Sequence, residues 1–238
     1  MAERPATPPA RETIRHRWRF ALVLLASLLL AVAQPLMSGL FEEQGSFDVA
    51  FSLLIGAVLL LVFEEREHRR VAFSLGLAAL VAVWASYWLE GPPGRILLIG
   101  AHLVAACFIG FALYRILRAI LVKQPSGDAI FGAVCGYLLL GIIWGFLYSA
   151  VETGAPGSFS TPASRAAGGV STRLDRGTLG YYSFVTLATV GYGDVTPVTP
   201  LARTLAWMEA VAGQFYLAVL VAGLVGFKVT QAMTNDSA

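Results

Sequence analysis

Thr189-Val190-Gly191-Tyr192-Gly193-Asp194 is the stretch on which the reading of this chain turns. A short aromatic-rich segment, Thr178 to Ala188, precedes it, and a long apolar one, Leu201 to Phe227, follows it. Gly191 and Gly193 flank Tyr192, and glycine accepts backbone dihedrals that other residues resist. A chain built this way can turn successive carbonyls toward one side while Val190 and Tyr192 point to the other.

Composition supplies the surroundings. The 238 residues are 57% hydrophobic and 13% charged. A soluble domain carries about 25% charged residues, so this is the balance of a polytopic membrane protein. A formal charge of +2 spread over loops gives no basic stripe for nucleic acid. Cys107 and Cys135 lie inside apolar stretches and read as small core residues, not as a disulfide or metal pair.

A membrane span needs roughly 20 apolar residues. Candidates are Arg19–Met37, Phe47–Phe63, Val71–Leu89, Ile96–Ile120, Ala129–Val151 and Leu201–Phe227. Basic residues precede the first, as in a signal peptide, but no small-residue cleavage site is convincing and the apolar run reaches spanning length. With the N-terminus inside, most of the 17 basic residues fall on the cytoplasmic side, among them Arg15, Arg17, Arg66, Arg69, Arg70, Arg115, Arg118, Lys123 and Lys228. The outer side receives Arg95, Arg165, Arg173, Arg176 and Arg203, and the first outer loop, Ser38 to Asp48, holds only acids. This is a positive-inside pattern with both termini cytoplasmic. It places Thr189–Asp194 on the outer side between the fifth and sixth spans, independently of any motif.

The fold expected is therefore all-α and transmembrane, a six-helix subunit with a re-entrant pore helix and a selectivity-filter strand. Residues 1–18 form a disordered tail and 19–122 a four-helix transmembrane domain. The pore domain covers 129–228: an outer helix at 129–151, an outer loop at 152–177, a pore helix at 178–188, a filter at 189–194 and an inner helix at 201–228. Residues 229–238 follow as a short tail. The outer loop, rich in Gly, Ser, Ala, Thr and Pro, reads as a mobile rim without regular structure.

Thr178–Ala188 is too short to cross a membrane, and a half-helix is tolerated only where it is buried or lines a water-filled path. Its carboxyl end carries partial negative charge that favours a cation, and Thr178 can cap its outer end. Four filters around one axis would stack rings of carbonyl oxygens from Thr189, Val190, Gly191, Tyr192 and Gly193, replacing the water shell of a K⁺ ion. Thr189 adds a hydroxyl, and Asp194 forms an acidic ring at the outer exit. One copy of the motif cannot enclose an ion, so a homotetramer is expected, with membrane lipid as its other partner.

Tyr181 through Gly213 resembles, without a gap, the pore of the tetrameric potassium channel family, the pore-loop cation channels. Pro197, Arg203 and Gly213 stand where that family has them, and the resemblance covers about Ala129–Lys228; the first four spans match by layout alone. It implies that the filter carbonyls bind K⁺ and that Gly213 lets the inner helix bend, although glycine also marks close helix packing. Val185 stands where the best-known two-span bacterial member has a glutamate that braces the filter aspartate. Voltage-gated relatives carry valine there and use an aromatic hydrogen bond, for which Tyr182 is the candidate toward Asp194. Glu209 with Gly213-Gln214-Phe215-Tyr216 looks like a motif of small bacterial channels, which implies a cell membrane, the inner one of a bacterium.

Two further readings concern gating. Glu209 is the acid well inside an apolar span, and such residues are costly and usually functional. It either attracts cations to the cavity or sits behind the pore helix as a neutral acid near Thr186 or Tyr182. Ile96–Tyr114 contains no Arg or Lys, whereas steep voltage gating needs about three to four charges per subunit. The four-helix domain thus resembles a voltage sensor without its charges, and weak or absent voltage dependence is expected. No nucleophile–base set or phosphate-binding glycine loop appears, so no enzyme activity and no cofactor are expected beyond K⁺ as the permeant ion. Competing readings are a low-selectivity cation channel and a non-conducting or transporter-like protein on the same scaffold.

Overall fold

The computed structural model describes residues 24–29, 43–62, 66–85, 88, 91–122, 129–166 and 173–236. The tail 1–18 and the greater part of the first expected span lie outside the described residues, as do 123–128 and 167–172. Residues 24–29 are helical. The remaining elements are α1 (Glu43–Val62), α2 (Arg66–Ala85), α3 (Gly91–Val122), α4 (Ala129–Gly154), β1 (Phe159–Ser160), α5 (Pro162–Ala166), α6 (Arg176–Leu187), β2 (Thr196–Pro197) and α7 (Pro200–Asp236).

Among the described residues, Gly91–Arg118 and Phe131–Gly154 are long and apolar enough to cross a membrane. At about 1.5 Å per residue, α3 and α4 both exceed a hydrocarbon core of about 30 Å. Pro92 and Pro93 open α3, where missing amide hydrogens cost nothing because first-turn donors have no helical partner. Arg95 then reaches the far end of α4: its Nε donates to the Thr153 carbonyl at 2.7 Å and its Nη2 to that of Gly154 at 3.1 Å. A cation on the last carbonyls of a helix satisfies orphan acceptors and meets the negative end of the dipole. Arg173 joins it, Nη2 donating to Thr153 Oγ1 at 2.9 Å.

α3 packs along α4 of the same chain, α2 packs against α3, and α1 lies against α2, α3 and α6. Phe51, Leu54 and Ile55 of α1, Ala79 and Val83 of α2, Phe108, Ile109 and Ala112 of α3, and Leu139, Ile142 and Phe146 of α4 make one buried cluster. Its centre is the Phe51–Phe146 ring pair, with centroids 4.6 Å apart. Fully buried His102 adds its ring 6.1 Å from Phe146.

The structure departs from the sequence reading at several points, among them α4 running on to Gly154 and α3 opening at Gly91. The helix expected at 201–228 continues to Asp236, through residues read as a tail; no Gly or Pro follows Gly226 to stop it. α6, in the place expected for a pore helix, begins at Arg176, two residues before the expected start. The outer loop is not a structureless rim. Buried Glu152 takes backbone amides at its carboxylate from Gly157 at 3.0 Å, Phe159 at 3.2 Å and Leu174 at 3.4 Å. β1 then pairs antiparallel with β2, Phe159 opposite Pro197 and Ser160 opposite Thr196, which ties the loop to the chain just past Asp194.

Candidate functional site: the pore helix and the 189–194 segment

α6 is capped by Asp175, whose carboxylate accepts from the Thr178 amide at 2.9 Å and from the Thr178 hydroxyl. Asp175, not Thr178, is the cap; Thr178 is its donor. Leu179, Tyr182, Ser183 and Leu187 are buried, a stripe at helical spacing. That stripe meets α4 at two small residues: a Cβ on Gly145 would lie 3.2 Å from the Gly180 Cα, so the two backbones cross in near contact.

The carboxyl end of α6 feeds directly into the motif. The Thr189 amide donates to the Thr186 carbonyl at 2.9 Å, and the Val190 and Gly191 amides both donate to the Val185 carbonyl, at 2.9 and 3.4 Å. Val185 thus acts through its backbone. Three consecutive N–H groups are held against the pore helix, and each leaves its peptide carbonyl directed the other way, because N–H and C=O are antiparallel across a trans peptide. The dihedrals follow the same alternation. Thr189, Gly191 and Gly193 have φ of +57°, +59° and +77°, while Val190 and Tyr192 between them do not enter the positive region. Glycine tolerates this at no steric cost; a β-branched threonine at φ > 0 is strained.

Asp194 is braced by Tyr181 and not by Tyr182. The Tyr181 hydroxyl donates to Asp194 Oδ2 at 2.7 Å, and the Val195 amide donates to Oδ1 at 3.0 Å. These bonds, the tyrosine's first, hold the Asp194 carboxyl below the usual carboxylate range. Tyr182 instead turns inward, its ring 5.1 Å from Tyr148 and 5.3 Å from Phe159. Tyr148 and Phe159 close this aromatic triad at 5.2 Å. In the outer loop, burial and the nearby Arg176 charge lower the Arg173 guanidinium.

Glu209 lies behind the pore helix, fully buried. It meets the hydroxyls of Ser183 on α6 and Tyr148 on α4, not Thr186 or Tyr182. Sequence reasoning passed over Ser183 and Tyr148; both are hydroxyl residues inside apolar helices, the signal that could have singled them out. Gly213 abuts the lower end of the pore helix: a Cβ there would overlap the Leu187 carbonyl oxygen and come 2.9 Å from its Cδ1. The Tyr137 hydroxyl donates to that same carbonyl at 3.2 Å. Through Gly213, α7 runs without a break, so the observed role of this glycine is close packing.

Comparison with known proteins finds partial matches to potassium channels. Over 87 residues the chain is 32% identical to "Inward rectifier potassium channel Kirbac3.1" of Paramagnetospirillum magnetotacticum, covering 35% of this chain and 24% of that protein. Over 47 residues it is 38% identical to "Two pore potassium channel c" of Oryza sativa subsp. japonica, covering 20% of this chain and 10% of that protein. The chain thus matches a quarter or less of the length of these relatives. No solved structure matches significantly. Residues 132–229, from α4 through the 189–194 segment and into α7, match the family model described as Ion channel.

Proposed function

We propose that this chain is one subunit of a homotetrameric, potassium-selective channel that conducts K⁺ passively across a cell membrane, with weak or absent voltage dependence. The carrying observation is the alternation at 189–193. The amides of Val190 and Gly191, tied back to the pore helix, turn the Thr189 and Val190 carbonyls away from it, and the positive φ at every second residue lets those of Gly191, Tyr192 and Gly193 follow on the same side. Stacked in four copies, they replace a cation's hydration oxygens. α6 directs its carboxyl end, with its partial negative charge, at the base of that column.

Exposure supports the assembly. Tyr192 is 72% exposed and Val190 51% exposed in the single chain, so the apolar backs of the filter need a neighbour. Trp207, Met208, Val211, Phe215 and Val219 continue an exposed apolar face along α7, a patch of the kind that marks a protein or lipid contact. The Ion channel family model matches over this same region. Among the helices before α4, α3 carries Arg115 and Arg118 near its end and no Arg or Lys between Ile96 and Tyr114, which supports weak voltage sensing. α3 packs along α4 of its own chain, with α2 against α3 and α1 reaching α4 through the Phe51–Phe146 ring pair, which supports an arrangement without domain exchange.

Purified protein in planar bilayers tests the reading. Unitary currents whose reversal potential follows the K⁺ gradient against Na⁺ are expected. A reversal potential that ignores the cation gradient's identity would favour an unselective channel, and well-folded but silent protein would sink conduction altogether.

A further inference from the structure

The hydroxyl and carboxyl oxygens around Glu209 do not have enough protons if that carboxyl is ionised. Ser183 Oγ lies 2.7 Å from the Gly141 carbonyl of α4 and also within hydrogen-bond reach of Glu209 Oε1. Tyr148 Oη meets Glu209 Oε2. That makes three oxygen–oxygen contacts, while Ser183 and Tyr148 hold one hydroxyl hydrogen each. Were Glu209 a carboxylate, one close contact would place two lone pairs face to face. Ser183, Glu209 and Tyr148 are all buried, where water cannot make up the deficit and an unmatched charge is costly.

We propose that Glu209 is a positioning residue that holds a proton at neutral pH, and that this proton bolts the pore helix between the outer and inner helices. The third hydrogen sits on Glu209 Oε1 and is donated to Ser183 Oγ. Ser183 then donates its own hydrogen to the Gly141 carbonyl, and Tyr148 donates to Oε2. Three contacts receive three protons, and α4, α6 and α7 are joined in one chain of bonds. Alkaline pH withdraws the proton, leaves Ser183 to serve two acceptors, and loosens α6.

The groups facing Glu209 do not offer a countercharge. α4 presents Tyr137 and Tyr148, α6 presents Tyr182, and β2, the third element against α7, consists of Thr196 and Pro197. On α7 itself the nearest cation toward the outer end is Arg203, which is exposed. The bolt is also placed to matter. Ser183 lies within one turn of the Val185 and Thr186 carbonyls that hold the filter amides, and Tyr148 packs on Tyr182 and Phe159. The consequence for K⁺ conduction rests on the function proposed above; the proton itself does not.

The test uses the full chain in lipid, by infrared spectroscopy and by thermal unfolding across neutral to alkaline pH. A carbonyl-stretch band of a protonated, hydrogen-bonded carboxylic acid is expected at neutral pH, shifted in Tyr148→Phe and absent in Glu209→Gln. Thermal stability of the native chain should fall as pH rises. Glu209→Gln, whose amide can donate to Ser183 and whose carbonyl can accept from Tyr148, should keep its neutral-pH stability and lose that pH dependence. Absence of the acid band from the native chain, or an equal pH dependence in Glu209→Gln, would overturn the proposal. Should the band and the stability profile behave as expected while bilayers stay silent, the proton bolt stands and the channel reading falls.

Discussion

Replacing Gly213 by alanine separates two roles for one residue, a hinge in the inner helix and a seat for the pore helix. The added Cβ would meet the Leu187 carbonyl oxygen, a backbone atom that cannot rotate aside, and would lie 2.9 Å from Leu187 Cδ1. Overpacking of this kind costs about 1–3 kcal/mol. Against it stands a gain of about 1 kcal/mol, because alanine is the better helix former. Taking the middle of the overlap range leaves a net loss of about 1 kcal/mol. Gly100 of α3 is the control, since a Cβ added there would have no neighbour within 4 Å, and alanine at that position should gain about 1 kcal/mol. The two variants should therefore differ by about 2 kcal/mol, read as thermal midpoints in lipid or detergent. Because Leu187 ends α6 and Thr189 opens the filter, Gly213→Ala should also reduce K⁺ over Na⁺ selectivity in reversal potentials. A pure hinge would show the opposite pattern, with lower open probability at unchanged selectivity and stability. If Gly213→Ala and Gly100→Ala melt together and select alike, the seat at Leu187 is wrong.

Tyr181→Phe removes the hydroxyl that braces Asp194, so conduction should decay faster during sustained recording, while Tyr182→Phe keeps that bond and should decay as the native chain does. The reverse order would reinstate Tyr182 as the brace. Glu152→Gln replaces a buried carboxylate that accepts three backbone amides by a side chain with one acceptor oxygen. A loss of about 2–3 kcal/mol is expected, the worth of hydrogen bonds to a charged group; limited proteolysis between residues 155 and 175 should accelerate, and an unchanged digestion rate would argue against the clamp. Conductance–voltage curves should yield fewer than about three gating charges in total, because Arg115 and Arg118 sit at the end of α3; a steeper curve would show that charges do cross the field.

How far the sequence could be read depended on whether a decision was local. The apolar runs, the glycines at 191 and 193 and the short helix before them were each decided within a few residues by hydrophobic length and backbone freedom, and α1 to α4, α6 and α7 lie close to where those signals put them, while α5 falls in a stretch read as irregular. The cap of α6 was also local and still misread. Thr178 and Asp175 are both good capping types, and the spacing of three from Asp175 to the Thr178 amide was the available clue. Tyr181 and Tyr182 differ by about 100° around a helix, so only the direction from which α4 approaches determines which ring is buried. That direction is set by Gly145 meeting Gly180, a contact between residues far apart in the chain. Glu209 poses the same difficulty in sharper form. Its carboxyl was legible as an expensive group that must have partners, but those partners sit 26 and 61 residues away on two other helices. Glu152 takes its amides at separations of 5, 7 and 22 residues, and that clamp orders a loop whose composition signals only irregularity. In each of these cases periodicity announced which face of a helix needed company, and only three-dimensional packing could say which residue supplied it. The polar atoms that decide the site are therefore those whose bonding demand is visible in one helix and met by another, and removing the partner's hydroxyl, at Ser183 or Tyr148, should disturb α6 as much as removing the Glu209 side chain's polar atoms altogether.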